Sequence, residues 1–195
     1  MKLSSIVLAG GAGERFGGRK LSAALAGRPL LEFALDAAAS AAPDLVVVIG
    51  AAPEVADLVH EWSKVGCRPF RIVAADDPSE GMGASLRAGL AALPVDVDGA
   101  FVFLGDMPWI PASVIAPLAR ALAAGAAAAA PVFAGQRGHP VLLGRGLIAQ
   151  YDRIAGDRGA GELLRSEAGV VLIDVDDDGV LFDVDTPEDL AKRSQ

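Results

Sequence analysis

The sequence predicts an α/β fold in one domain, with a doubly wound, mostly parallel sheet and helices on both faces. Three observations lead there. Short β-rich runs alternate with helical patterns along all 195 residues, which is the arrangement of layered α/β folds. Runs such as Leu45-Val46-Val47-Val48-Ile49 are almost continuously apolar, as expected of strands covered on both sides. The first apolar run empties into a glycine-rich loop that feeds the next element.

In chain order, strands are expected over 4–9, 45–49, 70–74, 100–104, 128–133, 140–143, 170–175 and 180–184. Each is a short apolar or β-branched run. Helices are expected over 29–41, 53–65, 83–92, 111–124, 159–167 and 187–193. Pro29, Pro53, Pro111 and Pro187 stand at or near helix starts, where a missing N–H costs nothing. Thr186, with Asp189 three residues on, reads as the cap and first-turn acid of the last helix. The acidic run 174–178 reads as a turn between the last two strands. No repeat, linker or low-complexity tail interrupts the pattern.

A hydrophobic content of 52% supports a full core, and 195 residues suit one domain. The net charge of −8 argues against nucleic acid as a partner, because such a face needs net basic charge. Cys67 is the only cysteine, which excludes an intrachain disulfide and agrees with a reducing, cytoplasmic location. The N-terminal apolar stretch is short and interrupted by Ser4 and Ser5, unlike a signal peptide. The alanine-rich run 119–130 is broken by Gly125 and too short for a membrane span.

Residues 8–20, LAGGAGERFGGRK, combine glycines 10, 11, 13, 17 and 18 with Arg15, Arg19 and Lys20. Glycine lets backbone amides approach a ligand closely, and a strand–loop–helix junction of this kind cradles anions. Three cations in an acidic chain point to a polyphosphate. A glycine-rich turn with incidental charges is the plainer alternative. The loop is neither of two common nucleotide loops: Phe16 replaces the third glycine of the dinucleotide fingerprint, and Arg19-Lys20 replace the Lys and hydroxyl residue of the Walker loop.

Asp106 follows the buried run AFVFL through Gly105 and is placed to hold a divalent cation, or else to cap the next helix. Both it and the glycine loop follow strands, so both should face one crevice at the carboxyl edge of the sheet. Asp183 and Asp185 alternate in a predicted strand and should point the same way. No convincing Ser-His-Asp or Cys-His set is present; His60 falls on a helix rich in surface positions.

The loop, together with GMGASLRAGL (81–90), FLGDMP (103–108), GQRGHPVLL (135–143), GDRGAGELL (156–164) and DVDTPEDL (183–190), resembles the MobA-like nucleotidyltransferase superfamily. The order and spacing are most like the molybdenum cofactor cytidylyltransferase branch. The likeness runs from residue 5 to about 191 and implies a Rossmann-like nucleotidyltransferase fold.

It further implies transfer of a nucleotidyl group from a nucleoside triphosphate to a pterin phosphate, with Mg2+ as cofactor. Leu8, Ala9, Gly10, Gly11, Gly13, Arg15 and Lys20 would bind the nucleotide. Gly81, Gly83 and Ser85 would contact base or ribose, unless they form an ordinary loop-to-helix junction. Asp106 and Asp185 would hold the metal, with Asp183 the alternative to Asp185 and a cap of the last helix the plainer role for Asp185, and Arg15, Lys20 and Asp106 would be catalytic. Arg137, His139 and Arg158 would face the acceptor; a turn-shaping role for His139 and a surface pair between Asp157 and Arg158 are the alternatives.

Four segments favour CTP, whereas Gly10 is commoner in the guanylyl branch, so GTP is the alternative. A sugar or polyol phosphate could replace the pterin. A cofactor carrier without catalysis, serving a molybdoenzyme, and a dinucleotide oxidoreductase are the remaining alternatives.

Overall fold

A computed structural model of the chain describes residues 1–11, 16, 19–50, 52–65, 69–75, 81–153, 164 and 167–192. The elements in order are β1 (Leu3–Ala9), β2 (Ala24–Leu25), β3 (Arg28–Pro29), α1 (Leu30–Ala41), β4 (Asp44–Ile49), α2 (Pro53–Lys64), β5 (Phe70–Ala74) and α3 (Met82–Ala91). Then follow β6 (Gly99–Leu104), α4 (Ile115–Ala123), β7 (Ala128–Phe133), β8 (Gln136–Arg137), β9 (Val141–Gly144), α5 (Arg145–Ile148), β10 (Val170–Asp174) and α6 (Pro187–Lys192). Single 3-10 turns occupy Lys20–Ser22, Ala112–Val114, Tyr151–Arg153 and Asp178–Val180.

The sheet order is β10-β7-β9-β6-β1-β4-β5, with β8 paired to β7. Strand β1 lies parallel between β4 and β6, β4 parallel to β5, and β7 parallel to β10. Two strands run antiparallel: the short β8 along β7, and β9, which returns after it between β6 and β7. The sheet is therefore doubly wound and mostly parallel, as the sequence predicts.

Alternate side chains of the central strands feed two cores. Ile6, Leu8, Val46, Val48 and Val102 meet Leu86 and Leu90 of α3 and Leu147 of α5. Val7, Ala9, Val47, Phe101 and Phe103 meet α1, Val59 of α2 and Leu118 of α4. Each fully buried side chain of this size contributes about 1.5–3 kcal/mol from burial. Ser4 and Ser5 are the polar exceptions in β1; their hydroxyls donate to Asp44 Oδ2 at 2.6 Å and to the Ala38 carbonyl at 2.8 Å.

The chain leaves β1 outward through α1, β4, α2 and β5, then returns through α3 to β6 on the other side of β1. The loops after β1 and β6 therefore diverge and open a crevice at the carboxyl edge.

Seven of the expected strands form within one residue of their predicted ends. The eighth, 180–184, is not a strand. Its first residue closes the 3-10 turn Asp178–Val180, and the chain then crosses the sheet edge instead of lying along a neighbour. The run 174–178 does turn, but into this crossing segment. Of the expected helix 159–167, only Leu164 and Glu167 are described; Leu164 is helical and buried. The hairpin β2–β3, strand β8 and α5 are too short to show a period in the sequence.

Candidate active site

Four residues from three distant parts of the chain meet at the carboxyl edge. Lys20 enters on the 3-10 turn after the glycine loop, just past Arg19 at φ 54°. Its ammonium donates to Asp106 Oδ2 at 2.7 Å and to Asp185 Oδ1 at 3.1 Å. Asp106 is two residues beyond the end of β6. Oxygen atoms of Asp106, Asp183 and Asp185 all lie within 4.8 Å of one another.

Two devices hold the late carboxylates there. The crossing segment is pinned on both sides: His139 N–H donates to the Val180 carbonyl at 2.8 Å, and Val184 N–H donates to the Asp106 carbonyl at 3.0 Å. Val180 and Val184 are fully buried, and Val184 packs with Leu25 and Leu30. Trp109 and Phe182 meet edge to face with ring centroids 5.1 Å apart. The close crossing requires glycine twice, because a Cβ at Gly138 would strike the Val180 carbonyl and one at Gly179 the Trp109 carbonyl. Asp189 then accepts from Asp185 N–H at 3.1 Å, Thr186 N–H at 2.9 Å and Thr186 Oγ1 at 2.9 Å. Here the first-turn acid caps the helix and the threonine donates to it.

The electrostatics follow from three acids and one resident cation. Burial alone would lower the Lys20 pKa, but hydrogen bonds to and charges on Asp106 and Asp185 outweigh it and raise the value. Burial and the negative charge of Asp106 push the Asp183 carboxyl above its ordinary range. An all-oxygen, carboxylate-rich donor set suits a hard divalent cation such as Mg2+ or Mn2+. Asp106 and Asp185 are the two acids that already engage a positive charge, and Asp183 adds a third oxygen donor beside them.

Several residues expected to bind the nucleotide form one crowded corner. A Cβ on Gly10 would lie 2.9 Å from Ser85 Oγ, and one on Gly50 would lie 2.5 Å from the Gly10 carbonyl oxygen. The loops after β1 and β4 thus touch backbone to backbone and rest on α3. Ser85 and Gly83 are buried. Gly81 caps α3 at φ 80°, a conformation that favours glycine. Leu8 and Ala9 are buried in the end of β1, and nothing lies within 4 Å of a Cβ on Gly11. Gly13, Arg15 and Arg158 lie outside the described residues.

Arg137 and His139, expected to face the acceptor, both line a cavity of about 240 Å³ on the α3 face. His139 is packed around by protein yet touches solvent through that cavity. Burial lowers its pKa, so the ring is neutral near pH 7. Its Nδ1 lies 3.4 Å from the Val102 carbonyl oxygen, and the His139–Pro140 peptide is cis.

A larger concavity of about 540 Å³ lies at the opposite, amino edge of the sheet, beside Asp98, Leu122 and Arg145. Asp98 and Arg145 form an ion pair there. Asp98 accepts from Lys2 N–H at 2.7 Å and from Arg145 at 3.1 Å. The unbalanced acids lie at the other end.

The profile of the MobA-like NTP transferase domain matches residues 5–170. The chain belongs to this family. The MobA-like protein is 31% identical over 198 aligned residues to nicotine blue oxidoreductase of Paenarthrobacter nicotinovorans, covering 96% of this chain and 94% of that one. Its fold superposes with a TM-score of 0.82 and 31% identity on the Mycobacterium tuberculosis Rv0371c homologue from Mycobacterium sp. strain JC1, covering 100% and 96% of the chains. Rv0371c of Mycobacterium tuberculosis, solved in complex with manganese, shares the fold at a TM-score of 0.76 and 24% identity, covering 98% and 97%.

Family membership supports nucleotidyl transfer as the chemistry of this MobA-like site. Among the described residues, no helix is long and apolar enough to cross a membrane. Sequence reasoning missed Gly50, Gly138, Gly179 and the capping role of Asp189. The signal for Gly50 was its place after LVVVI, the same strand-end position that Gly10 holds after β1.

Proposed function

We propose that this MobA-like protein is a Mg2+-dependent cytidylyltransferase that moves CMP from CTP to the phosphate of the molybdenum cofactor, a pterin phosphate, with release of pyrophosphate. The observation that carries the reading is the meeting of Lys20 with Asp106 and Asp185, from three distant segments, at the carboxyl edge. A pure carrier has no need of this set. Asp106 and Asp185 would hold the metal, which when bound supplies charge neutralisation at the phosphates.

An oxygen of the acceptor phosphate bonds to the α-phosphorus of CTP, and the bond to the β,γ-pyrophosphate breaks. No general base is required, because a phosphate monoester is already largely ionised at neutral pH. Lys20 and Arg15 would stabilise charge on the phosphates and on the departing pyrophosphate. The glycine loop from Leu8 to Gly13 would hold the triphosphate, with Gly81, Gly83 and Ser85 beside the base or ribose. Arg137, His139 and Arg158 would orient the acceptor. The product would pass to a molybdoenzyme in the cytoplasm.

CTP is favoured over GTP by four of the sequence segments. Gly10 itself is matched to Ser85, since an alanine there would press on the Ser85 hydroxyl at 2.9 Å.

The full-length likeness to nicotine blue oxidoreductase favours a second reading, an oxidoreductase. Phe16 counts against a dinucleotide loop, since it packs in the small core with Leu25, Leu30 and Val184. Incubation with Mg2+, the pterin phosphate cofactor and each of CTP, GTP, ATP and UTP separates the readings by pyrophosphate release. Release with CTP alone is expected. Release with GTP alone would replace the nucleotide assignment, and NAD(P)H oxidation without pyrophosphate would replace the reaction.

A further inference from the structure

The acidic cluster at the carboxyl edge already engages a cation of the protein's own. Lys20 Nζ donates to Asp106 Oδ2 at 2.7 Å and to Asp185 Oδ1 at 3.1 Å. It thus bridges the two acids, from distant segments, that a divalent ion would have to bridge. The cluster has the dimensions of a single-ion site. A cation such as Mg2+ sits about 2.1 Å from each oxygen, so two oxygens of one ion are at most about 4.2 Å apart. Oxygens of Asp106, Asp183 and Asp185 all lie within 4.8 Å of one another. An ammonium held by two members of such a set competes for the place of the ion, and a second positive charge beside it would be repelled at close range.

The ammonium can leave without unfolding a long element. It ends a flexible four-carbon stem on the single 3-10 turn Lys20–Ser22, and its side chain is 12% exposed. That turn follows the glycine loop directly. A triphosphate held on the loop therefore offers the lysine a second set of anionic oxygens.

We propose that Lys20 is a resident counter-ion that competes with the divalent metal for Asp106 and Asp185, and that the nucleotide's triphosphate draws it off. The metal-free protein keeps two of its acids paired. Metal alone binds weakly, its affinity lowered by the fraction of time that the site is free of the ammonium. Nucleotide and metal then favour each other's binding, and the coupling is reciprocal. The competition concerns this chain's lysine and acids alone; the part played by the triphosphate rests on the proposed function.

The test is Mn2+ binding to the full chain without nucleotide, followed by electron paramagnetic resonance. Lys20→Met and Lys20→Gln should each bind Mn2+ about tenfold or more tightly than wild type, the gain expected when an occupied site is freed. Mn2+ should also raise their melting temperatures further than it raises that of the wild type. Arg19→Met removes an exposed positive charge from the neighbouring position and should change the affinity by less than about twofold, as for a screened surface charge. Reductive methylation of the wild type, read by mass spectrometry, follows the lysine itself, with exposed Lys64 as internal standard. Labelling of Lys20 relative to Lys64 should rise when Mn2+ is added and fall again when CTP joins it.

Equal or weaker Mn2+ binding to the two Lys20 variants would overturn the competition, even in a protein that transfers CMP. Unchanged Lys20 labelling on addition of Mn2+ would overturn it without recourse to a variant. Tighter binding to the variants, with labelling that CTP leaves unchanged, would support the competition and overturn the part assigned to the triphosphate.

Discussion

The two ends of the sheet carry similar numbers of charges and use them in opposite ways. At the amino edge, Lys2 pairs with Asp96 at 2.6 Å and Arg145 pairs with Asp98 at 3.1 Å. Hydrogen bonds from Lys2 hold both carboxyls below the usual range. At the carboxyl edge, three acids cluster around one lysine, and the Asp183 carboxyl is pushed up instead. Balanced, exposed pairs stabilise weakly and ask for no ligand. A surplus of negative charge on crossing segments is held in place by the fold and is relieved by a cation. The larger concavity is at the balanced end, so size alone would have selected the wrong cavity.

The sharpest break in the comparison is one aspartate removed from each end. Asp106→Ala should lower nucleotidyl transfer by about 10³-fold or more, the scale on which a positioned electrostatic group acts. Asp98→Ala should leave the rate within about twofold, as for a weak surface pair. Steady-state pyrophosphate release checks both.

Next in size is Lys20→Met, expected to cost about 10²–10³-fold in kcat. It should also destabilise the metal-free protein, since Asp106 and Asp185 lose their counter-ion. The Lys20 pKa is raised from its ordinary 10.5, so its stabilising contribution is full at neutral pH and is lost only as the pH rises through the higher folded value. Thermal melts of Lys20→Met against wild type should therefore differ at neutral pH and converge in strong alkali.

A smaller effect separates His139 from an exposed histidine. Its folded pKa lies below the ordinary 6.5, so the unfolded chain takes up a proton first as pH falls. Stability is full above 6.5 and declines below it. His139→Gln should flatten this decline, the wild type losing about 2–4 °C more in Tm on acidification, the equivalent of roughly 1 kcal/mol for a chain of this size.

The smallest change expected is at Asp183. Its raised pKa means the folded state holds a proton longer than the unfolded chain. Stability therefore falls as the pH rises from 3.8 through the higher folded value, and the cost is full at neutral pH. Asp183→Asn should raise the Tm of the metal-free protein at neutral pH by about 1 °C, allowing for solvent screening of an exposed group. That gain should vanish in acid.

The sheet was legible because burial on two faces leaves continuous apolar runs, and Leu45–Ile49 or Ala100–Leu104 can be nothing else in a layered protein. Asp106 was legible for the same reason, as a lone acid just past such a run. The crossing segment was not. Val180, Phe182 and Val184 alternate with polar residues as a strand would, yet they are buried by a tight passage that Gly138 and Gly179 permit. That passage depends on carbonyls of Val180 and Trp109, which no local pattern reveals. The late carboxylates still reach Asp106, because backbone hydrogen bonds at Val180 and Val184 do the work expected of strand pairing. The cavity on the α3 face was equally hidden: Leu8, Val102 and Val141 read as ordinary core residues, and only the fold shows the space beside them.

The most direct test is Mn2+ binding followed by electron paramagnetic resonance on wild type, Asp106→Ala, Asp185→Ala and Asp98→Ala. Binding should be lost or strongly weakened in Asp106→Ala and Asp185→Ala and unchanged in Asp98→Ala. Equal binding to all four proteins would contradict a cation site at the carboxyl edge.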